Sequence, residues 1–343
     1  MHTTYIQHHD IIHNTEESII GALHKYGPIV SIERNGSREY IVDNEYTRKV
    51  LTEDSLFSFE NGMASLLGIN WLLGLHGGTF FRDIDDIMKN FLARRLSNIE
   101  SKVWPIFERG ALALSKASSP RNPIDMLPSK LWIFVLVLAS ILGSVHQTST
   151  IMVWATFFLA VHLESQVEIR EELIKITEQH YCSQLRGPVP DVKKALRTDS
   201  FIREVLRMKG DTVNVVRASV RDVDLGGYLI PKGASPTPYR CLGSPRYTEN
   251  PDKFDANRWV GSGKTAATTG LGYLAFGYGK WACPGRFLAV LEVKYWLLAL
   301  VKCSKFTLEG GMYRVLDGWN VTAVAPEGRL LIEPYMYSDT PSV

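Results

Sequence analysis

Apolar residues in this chain recur at two spacings, and the places where one gives way to the other divide it into elements. Lys25-Tyr26-Gly27-Pro28-Ile29-Val30-Ser31-Ile32 is a turn feeding an extended segment. Glu39 to Val42 is its partner across Asn35-Gly36, a pair that readily supplies the positive φ of a tight hairpin. From Asp43 to Thr52 the period lengthens to that of a helix, with Tyr46, Val50 and Leu51 on one face. Phe57 to Gly78 follows neither period. Its mixture of glycine and large apolar residues fits a mobile loop over a pocket or a buried connector equally well. Helical spacing returns at Phe81 to Leu96, through Ile84, Ile87, Met88, Phe91 and Leu92, and again over Asn98 to Ser115. Lys116 to Pro128, with Ser-Ser-Pro and Asn-Pro, is a loop.

Leu131 to Leu163 contains no Asp, Glu, Lys or Arg, and Ser129 suits the position of its N-cap. Such a run is either a membrane span or a long helix through the centre of a globular domain. The polar group His146-Gln147-Thr148-Ser149-Thr150 at its middle would be costly in lipid and favours burial in protein. Glu164 to His180 is a charged amphipathic helix, broken by Gly187-Pro188-Val189-Pro190. Phe201 to Met208 is the next helix, with Asp199 or Ser200 as its cap, and Glu204 and Arg207 three apart share one of its faces. Val213 to Arg217, Val223 to Gly233 and Ser235 to Tyr239 read as short strands with Gly and Pro turns. After a helix over Phe287 to Val301, Phe306 to Gly310 and Leu330 to Pro334 are strands of a closing hairpin system, with Trp319 to Pro326 as a last turn. The sum is a mainly α chain with a small β lobe, an α+β class.

With 343 residues and 45% apolar content, the chain can bury a sizeable core in one large domain or two small ones. Its 38 Lys and Arg nearly balance 36 Asp and Glu, and the absence of a basic run argues against a nucleic-acid partner. Cys182, Cys241, Cys283 and Cys303 form no CxxC pair, so a disulfide framework or zinc site is not expected and a reducing compartment fits better. Met1 to Ser18 is polar and His-rich, without an apolar targeting core or anchor.

The richest chemistry lies in Phe276-Gly277-Tyr278-Gly279-Lys280-Trp281-Ala282-Cys283-Pro284-Gly285-Arg286, directly before the Phe287 helix. Gly279 and Gly285 can take positive φ and bring backbone close to a neighbour. Pro284 suits the first turn of a helix. A cysteine at a helix start faces amide N–H groups and the positive end of the dipole, which favour thiolate over thiol. A free cysteine in a Gly-rich turn is the plainer alternative.

The spacing Phe-x-x-Gly-x-x-x-Cys-x-Gly resembles the haem-binding loop of the cytochrome P-450 superfamily, and fungal secondary-metabolite members in particular. The resemblance implies a cytochrome P-450 fold with haem as cofactor and Cys283 as its axial iron ligand, in a loop where Phe276, Gly279, Lys280 and Gly285 belong to the cofactor site. Thiolate ligation pushes electron density onto the iron and favours O–O cleavage. Further matches spread over nearly the whole chain from Lys25. Glu204-x-x-Arg207 and Pro251-x-x-Phe254-x-Ala256-x-Arg258-Trp259 resemble the family's Glu-Arg-Arg triad, a structural network of Glu204, Arg207 and Arg258. Gly227-Tyr228-Leu229-Ile230-Pro231-Lys232-Gly233 matches a turn of its β lobe, and Arg217 is implied as a haem propionate contact.

Several departures qualify the implication. Phe81 and Asp85 stand where the family has a Trp-x-x-x-Arg that holds a propionate, and Trp281 replaces a more usual His or Arg. In the central helix, His146 stands in place of the relay acid and Gln147 in place of the threonine, with Thr148 one step on. His146 and Thr148 are the candidate proton relay. The family's anchor and the run of helices that roofs the substrate pocket have no counterpart, since a single loop spans Ser115 to Ser129.

The expected organisation is a polar segment over 1–24 and a single haem-thiolate domain over 25–343. The implied activity is monooxygenation of a hydrophobic small molecule in secondary metabolism, with O2 and an NADPH-dependent reductase as partners. Gln147 keeps open a haem-thiolate isomerase or dehydratase that needs no O2, and the missing roof keeps open a non-catalytic haem-binding remnant. The resemblance implies the endoplasmic reticulum membrane surface; the polar start fits the cytosol, and membrane association stays open.

Overall fold

The computed structural model describes residues 13–34, 37–74, 79–87, 89, 146–177, 191–209, 216–239, 246–319, 321 and 324–335. The expected loop over Lys116 to Pro128, the helix over Asn98 to Ser115, the Gly187 to Pro190 break and the first half of the uncharged run lie outside them. The described chain opens with helix α1 (Thr15–Tyr26), strands β1 (Ile29–Arg34) and β2 (Ser37–Val42) and helix α2 (Asn44–Thr52). β1 and β2 are antiparallel with Ile29 opposite Val42, and β7 (Pro236–Pro238) joins β2 in parallel. Pro236 and Pro238 have no N–H to give, which suits β7 to the sheet edge it occupies. Asp43 caps α2 by accepting the Asn44 N–H. Ile29, Val42, Val50, Leu51, Phe57, Leu225, Ile230 and Leu274 make the core of this lobe.

Phe57 to Gly74, the described part of the aperiodic stretch, is more ordered than its sequence implies. Phe57–Ser58 is a short strand, β3, and Ser58 Oγ caps helix α3 (Phe59–Leu66) by accepting the Asn61 N–H at 3.1 Å. A 3-10 turn, Asn70–Gly74, precedes helix α4 (Phe80–Ile87). α3 and α4 close on Ala64, Phe80 and Phe81, with Phe59 and Trp281 against them.

The main core is helical. α5 (His146–Val161) meets α6 (Leu163–Thr177) at a bend of 108°. The expected helix to Leu163 therefore stops at Val161, and His162 Nδ1 bonds the Phe158 carbonyl at 2.8 Å in the break. From Ile151 onward α5 buries Trp154, Ala155, Phe158 and Leu159 against α6, α7 (Leu196–Lys209) and α8 (Arg286–Cys303). Among the described residues no single helix is long and apolar enough to cross a membrane; α5 and α6 satisfy that measure only as a bent pair.

Side chains from distant segments satisfy the helix ends. α7 begins at Leu196 rather than Phe201, so Asp199 and Ser200 lie inside it and do not cap it. Glu172 of α6 takes that role, accepting the N–H groups of Arg197 at 2.6 Å and Thr198 at 2.9 Å. Freed from capping, Asp199 accepts the Ala266 N–H and pairs with buried Lys294 of α8 at 2.6 Å. At the other end of α8, Arg170 donates to the Val301 and Ser304 carbonyls at 2.7 and 2.8 Å. Short strands complete the fold: β4 (Ala218–Ser219) on β3, β5 (Val223–Leu225) with β6 (Tyr228–Ile230), and β8 (Ser304–Leu308) with β9 (Leu330–Pro334). Of the strand expected over Val213 to Arg217, only Val216 and Arg217 are described; they lie outside any strand, and β4 starts at Ala218.

Candidate functional site

The Cys283 loop is closed by its own backbone. Gly277 N–H donates to Leu274 O and Cys283 N–H to Phe276 O, both at 2.8 Å, while Ala282 N–H reaches Gly279 O at 3.2 Å. Two glycines make the reversals possible, Gly277 at φ 71° and Gly279 at φ 73°, a region that costs other residues about 1–2 kcal/mol. The expectation for Gly285 is corrected here. It sits at φ −82° as the residue before α8, because the chain there is already turning into a right-handed helix. Pro284 lies one residue earlier, outside the helix's first turn.

Cys283 is half-buried and free. Burial pushes its thiol pKa up; the N–H of Gly285, the Arg286 guanidinium and the Arg286 N–H oppose that push, and Asp85 adds to it. The donor set is that of a sulfur held at a helix start. Arg286 also donates to the Cys283 carbonyl at 2.8 Å, clamping the backbone from the helix side. Phe276 packs against the main core as well as lending its carbonyl to the Cys283 amide.

The three cations or substitutes expected near the cofactor are placed differently from one another. Lys280 is exposed and pairs with Asp54 at 3.6 Å. Trp281 donates its indole N–H to the same carboxylate at 3.3 Å and stacks on Phe59, centroids 4.8 Å apart. Arg217 is 1% exposed and lies over the Phe59 ring, 5.3 Å from its centroid. It donates to the carbonyls of Val216 at 2.9 Å and Leu51 at 3.3 Å, and its Nε has no partner among the described residues. Burial lowers its pKa to about 10, with Asp54 partly offsetting the fall. A buried guanidinium with an unused donor is a fit for an anion such as a haem propionate. The residues present thus fit haem, through a thiol with amide donors and a buried cation in want of a counter-charge. Asp85, where the family pattern has an arginine, accepts Lys89 Nζ at 2.6 Å, and Phe81 is buried beside Phe59.

Glu204, Arg207 and Arg258 come together. The Glu204 carboxylate, fully buried, accepts Arg207 Nε and Nη2 at 2.9 and 2.8 Å and Arg258 Nε at 2.9 Å. Sequence reasoning missed two further members, the Trp259 indole N–H at 2.9 Å and the Asp255 N–H at 3.2 Å. It also missed Arg203, held between the rings of Tyr273 at 3.7 Å and Trp259 at 4.6 Å. A cleft of about 520 Å3 opens beside Arg258 and Phe254, and no residue of the Cys283 loop lines it.

His146 and Gln147 are exposed and Thr148 is half-buried at the first turn of α5. There the His146 carbonyl accepts Ser149 Oγ at 2.8 Å and Thr150 Oγ1 at 3.2 Å. Gly143 to Val145, which precede them in the resemblance, lie outside the described residues.

A family model described as Cytochrome P450 matches residues 69–330. The chain is 33% identical over 209 residues to the cytochrome P450 monooxygenase prhD of Penicillium brasilianum, a match covering 56% of this chain and 39% of that protein. Over 223 residues it is 30% identical to ent-kaurenoic acid oxidase 1 of Hordeum vulgare, covering 61% and 44%. These matches each span less than half the length of the curated relative. Among solved structures, cyanobacterial CYP120A1 with bound retinoic acid superposes with a TM-score of 0.58 at 16% identity, over 94% of this chain and 95% of that one, a likeness of fold.

Proposed function

The chain belongs to the cytochrome P450 family, and from that membership we propose that it is a haem-thiolate monooxygenase that oxidises a hydrophobic small molecule, of terpenoid or polyketide kind, in secondary metabolism. The observation that carries this reading is the Cys283 loop, in which a free thiol faces the amides of Gly285 and Arg286 at the start of α8. Relatives named as monooxygenases in fungi and as an oxidase in barley support it.

When bound through a cysteine thiolate, haem supplies O2 activation, in which two electrons and two protons convert one oxygen atom to water and place the other in the substrate. The chain's own residues present and guard that chemistry. Cys283 would supply the ligand sulfur, and the Gly285 and Arg286 N–H groups favour its thiolate against the burial that raises its pKa. Gly277 and Gly279 give the loop its turns, and Arg217 would meet a carboxylate of the cofactor. Glu204, Arg207 and Arg258 lock α7 to the segment Pro251–Trp259. Thr148 and His146 would hold and pass protons, and electrons would come from an NADPH-dependent reductase.

A second reading, a haem-thiolate isomerase or dehydratase, is favoured by one observation, Gln147 where a relay threonine would stand. Dependence on O2 and NADPH separates the two. The test of the shared premise is the carbon monoxide difference spectrum of the reduced, haem-reconstituted chain. A red-shifted Soret band supports thiolate ligation by Cys283; an unshifted band in the wild-type chain overturns it.

A further inference from the structure

Two side chains of the loop before Cys283 converge on one carboxylate outside it. Asp54 lies in the turn after α2, a turn fixed by the N–H groups of Leu56 and Phe57 on Glu53 O, both at 2.9 Å. Its Oδ2 accepts the Trp281 indole N–H at 3.3 Å and faces Lys280 Nζ at 3.6 Å. The same end of α2 approaches the loop closely, since a Cβ on Gly279 would lie 3.6 Å from Thr52 Cγ2 and 3.7 Å from Leu51 O. Leu51 O in turn receives Arg217. The end of α2 therefore touches the loop by backbone packing, and Asp54 gives that packing a direction.

We propose that Asp54 is the positioning residue of the cysteine loop, holding it through Trp281 against the end of α2 and so setting where the Cys283 sulfur stands. The role rests on the haem-thiolate reading only in what the loop presents; the tether itself concerns this chain's own residues. The two contacts of Asp54 are unequal. Lys280 is 64% exposed in its side chain and Asp54 38%, so the ion pair is screened by water and contributes little. Trp281 is different. Its ring is already fixed in plane by the stack on Phe59 and by the cluster of Ala64, Phe80 and Phe81. A flat ring held on one face can still slide within its plane, and the bond from its N–H to a carboxylate removes that freedom. Trp281 is two residues from Cys283, and Ala282 N–H and Cys283 N–H close the loop on Gly279 and Phe276. A shift of Trp281 is thus passed directly to the sulfur.

The trade this makes is visible in the neighbouring charges. Because Asp54 engages Lys280 and Trp281, it takes from the loop the two side chains that would otherwise face an anion, and leaves Arg217 to do so from the β4 side. Asp54 gains no bond to Arg217; it acts on it only through space.

The test is residue-resolved hydrogen exchange on the haem-free full chain, comparing Asp54→Ala, Asp54→Asn and Lys280→Ala. Asp54→Ala is expected to speed exchange of the Ala282 and Cys283 amides about tenfold, the effect of one charge-assisted hydrogen bond. Amides of Leu196–Lys209 should stay at their wild-type rates. Asp54→Asn keeps an oxygen for the indole N–H and should change the loop by less than about threefold, as should Lys280→Ala. In the reconstituted protein, Asp54→Ala should move the reduced carbon monoxide complex from the thiolate-ligated band toward the unshifted one, and Asp54→Asn should not. Should Asp54→Ala fail to fold, Trp281→Phe, which keeps the stack but lacks the N–H, is expected to show the same loop acceleration. Wild-type loop exchange in Asp54→Ala, or equal acceleration throughout α7, overturns the proposal. A wild-type chain with no thiolate band overturns the haem reading instead, and the exchange rates still decide the tether.

Discussion

Arg217→Met should stabilise the haem-free protein and weaken its hold on haem, two effects of opposite sign from one substitution. In the haem-free chain the guanidinium is 1% exposed, and burial brings its pKa from the ordinary arginine value to about 10, which amounts to roughly 3 kcal/mol spent on keeping it charged. Methionine has similar length and no such cost. Against the gain stand the two bonds to Val216 O and Leu51 O, about 1 kcal/mol each in net terms. The difference is a stabilisation of about 1 kcal/mol, at the low end of what replacing buried ions by apolar residues achieves. Haem retention should fall by about ten- to a hundredfold, the loss of a charge-assisted contact to a carboxylate. Urea unfolding of the haem-free proteins and a haem-transfer assay on the loaded ones measure the two terms. The pH dependence gives the sign independently. A base whose pKa is lowered by folding penalises the folded state below about pH 10, and above it the folded state sheds the proton while the unfolded state keeps it. Wild-type stability should therefore rise toward that of the variant as pH climbs past 10. A haem-free Arg217→Met that is less stable by more than about 1 kcal/mol, with haem retention unchanged, would refute the assignment of Arg217 as a cation waiting for an anion.

Glu204→Gln leaves Arg207 and Arg258 buried beside a neutral amide, so urea unfolding should show a loss of roughly 3–5 kcal/mol, with the spectrum of any haem bound weakening in parallel. Gly277→Ala should cost about 1–2 kcal/mol in thermal melts from its φ of 71° alone, since a Cβ there meets Trp281 O at an ordinary 3.5 Å. Cys283→Ala should abolish the thiolate-ligated band while leaving the far-ultraviolet circular dichroism of the haem-free chain unchanged; a red-shifted band in that variant would remove Cys283 from the site.

The parts of the site that could be read from sequence are those whose partners are close along the chain or fixed by a recurrent pattern. Cys283 is one, because the glycines, the proline and the helix start that give it chemistry are all within a few residues. Glu204 and Arg207 are another, since a spacing of three puts them on one helix face. Arg258 was placed only by resemblance, and its companion Trp259 was not placed at all, because nothing local tells which tryptophan will send its N–H to a carboxylate 55 positions away. The same limit explains the errors. Asp199 reads as a cap when α7 is viewed alone, but Glu172 reaches in from α6, and a carboxylate arriving from another helix leaves no trace in the local pattern. Gly285 and Gly277 look alike within the motif; only the direction of the chain into α8 decides which one needs positive φ.

Phe59–Leu66 escaped notice for a different reason. Periodicity needs several turns to register, and α3 has only eight residues with Asn61-Gly62 inside it: Phe59 meets Arg217 and Trp281, Ala64 is buried, Asn61 and Ser65 are exposed, and the chain leaves the helix with Leu66 and Leu67 both exposed. Two turns broken by a turn-favouring pair leave too short an alternation to detect. Asp54 stayed hidden because its partner is remote. It is one acidic residue in a polar turn, indistinguishable by composition from Glu53 beside it, and its meaning comes entirely from Trp281, 227 positions later. The residue that departs most plainly from the family pattern, Trp281, is the one that needed a new partner. Where a motif loses a charged side chain, the compensating group is best sought among the residues that the replacement can reach in space.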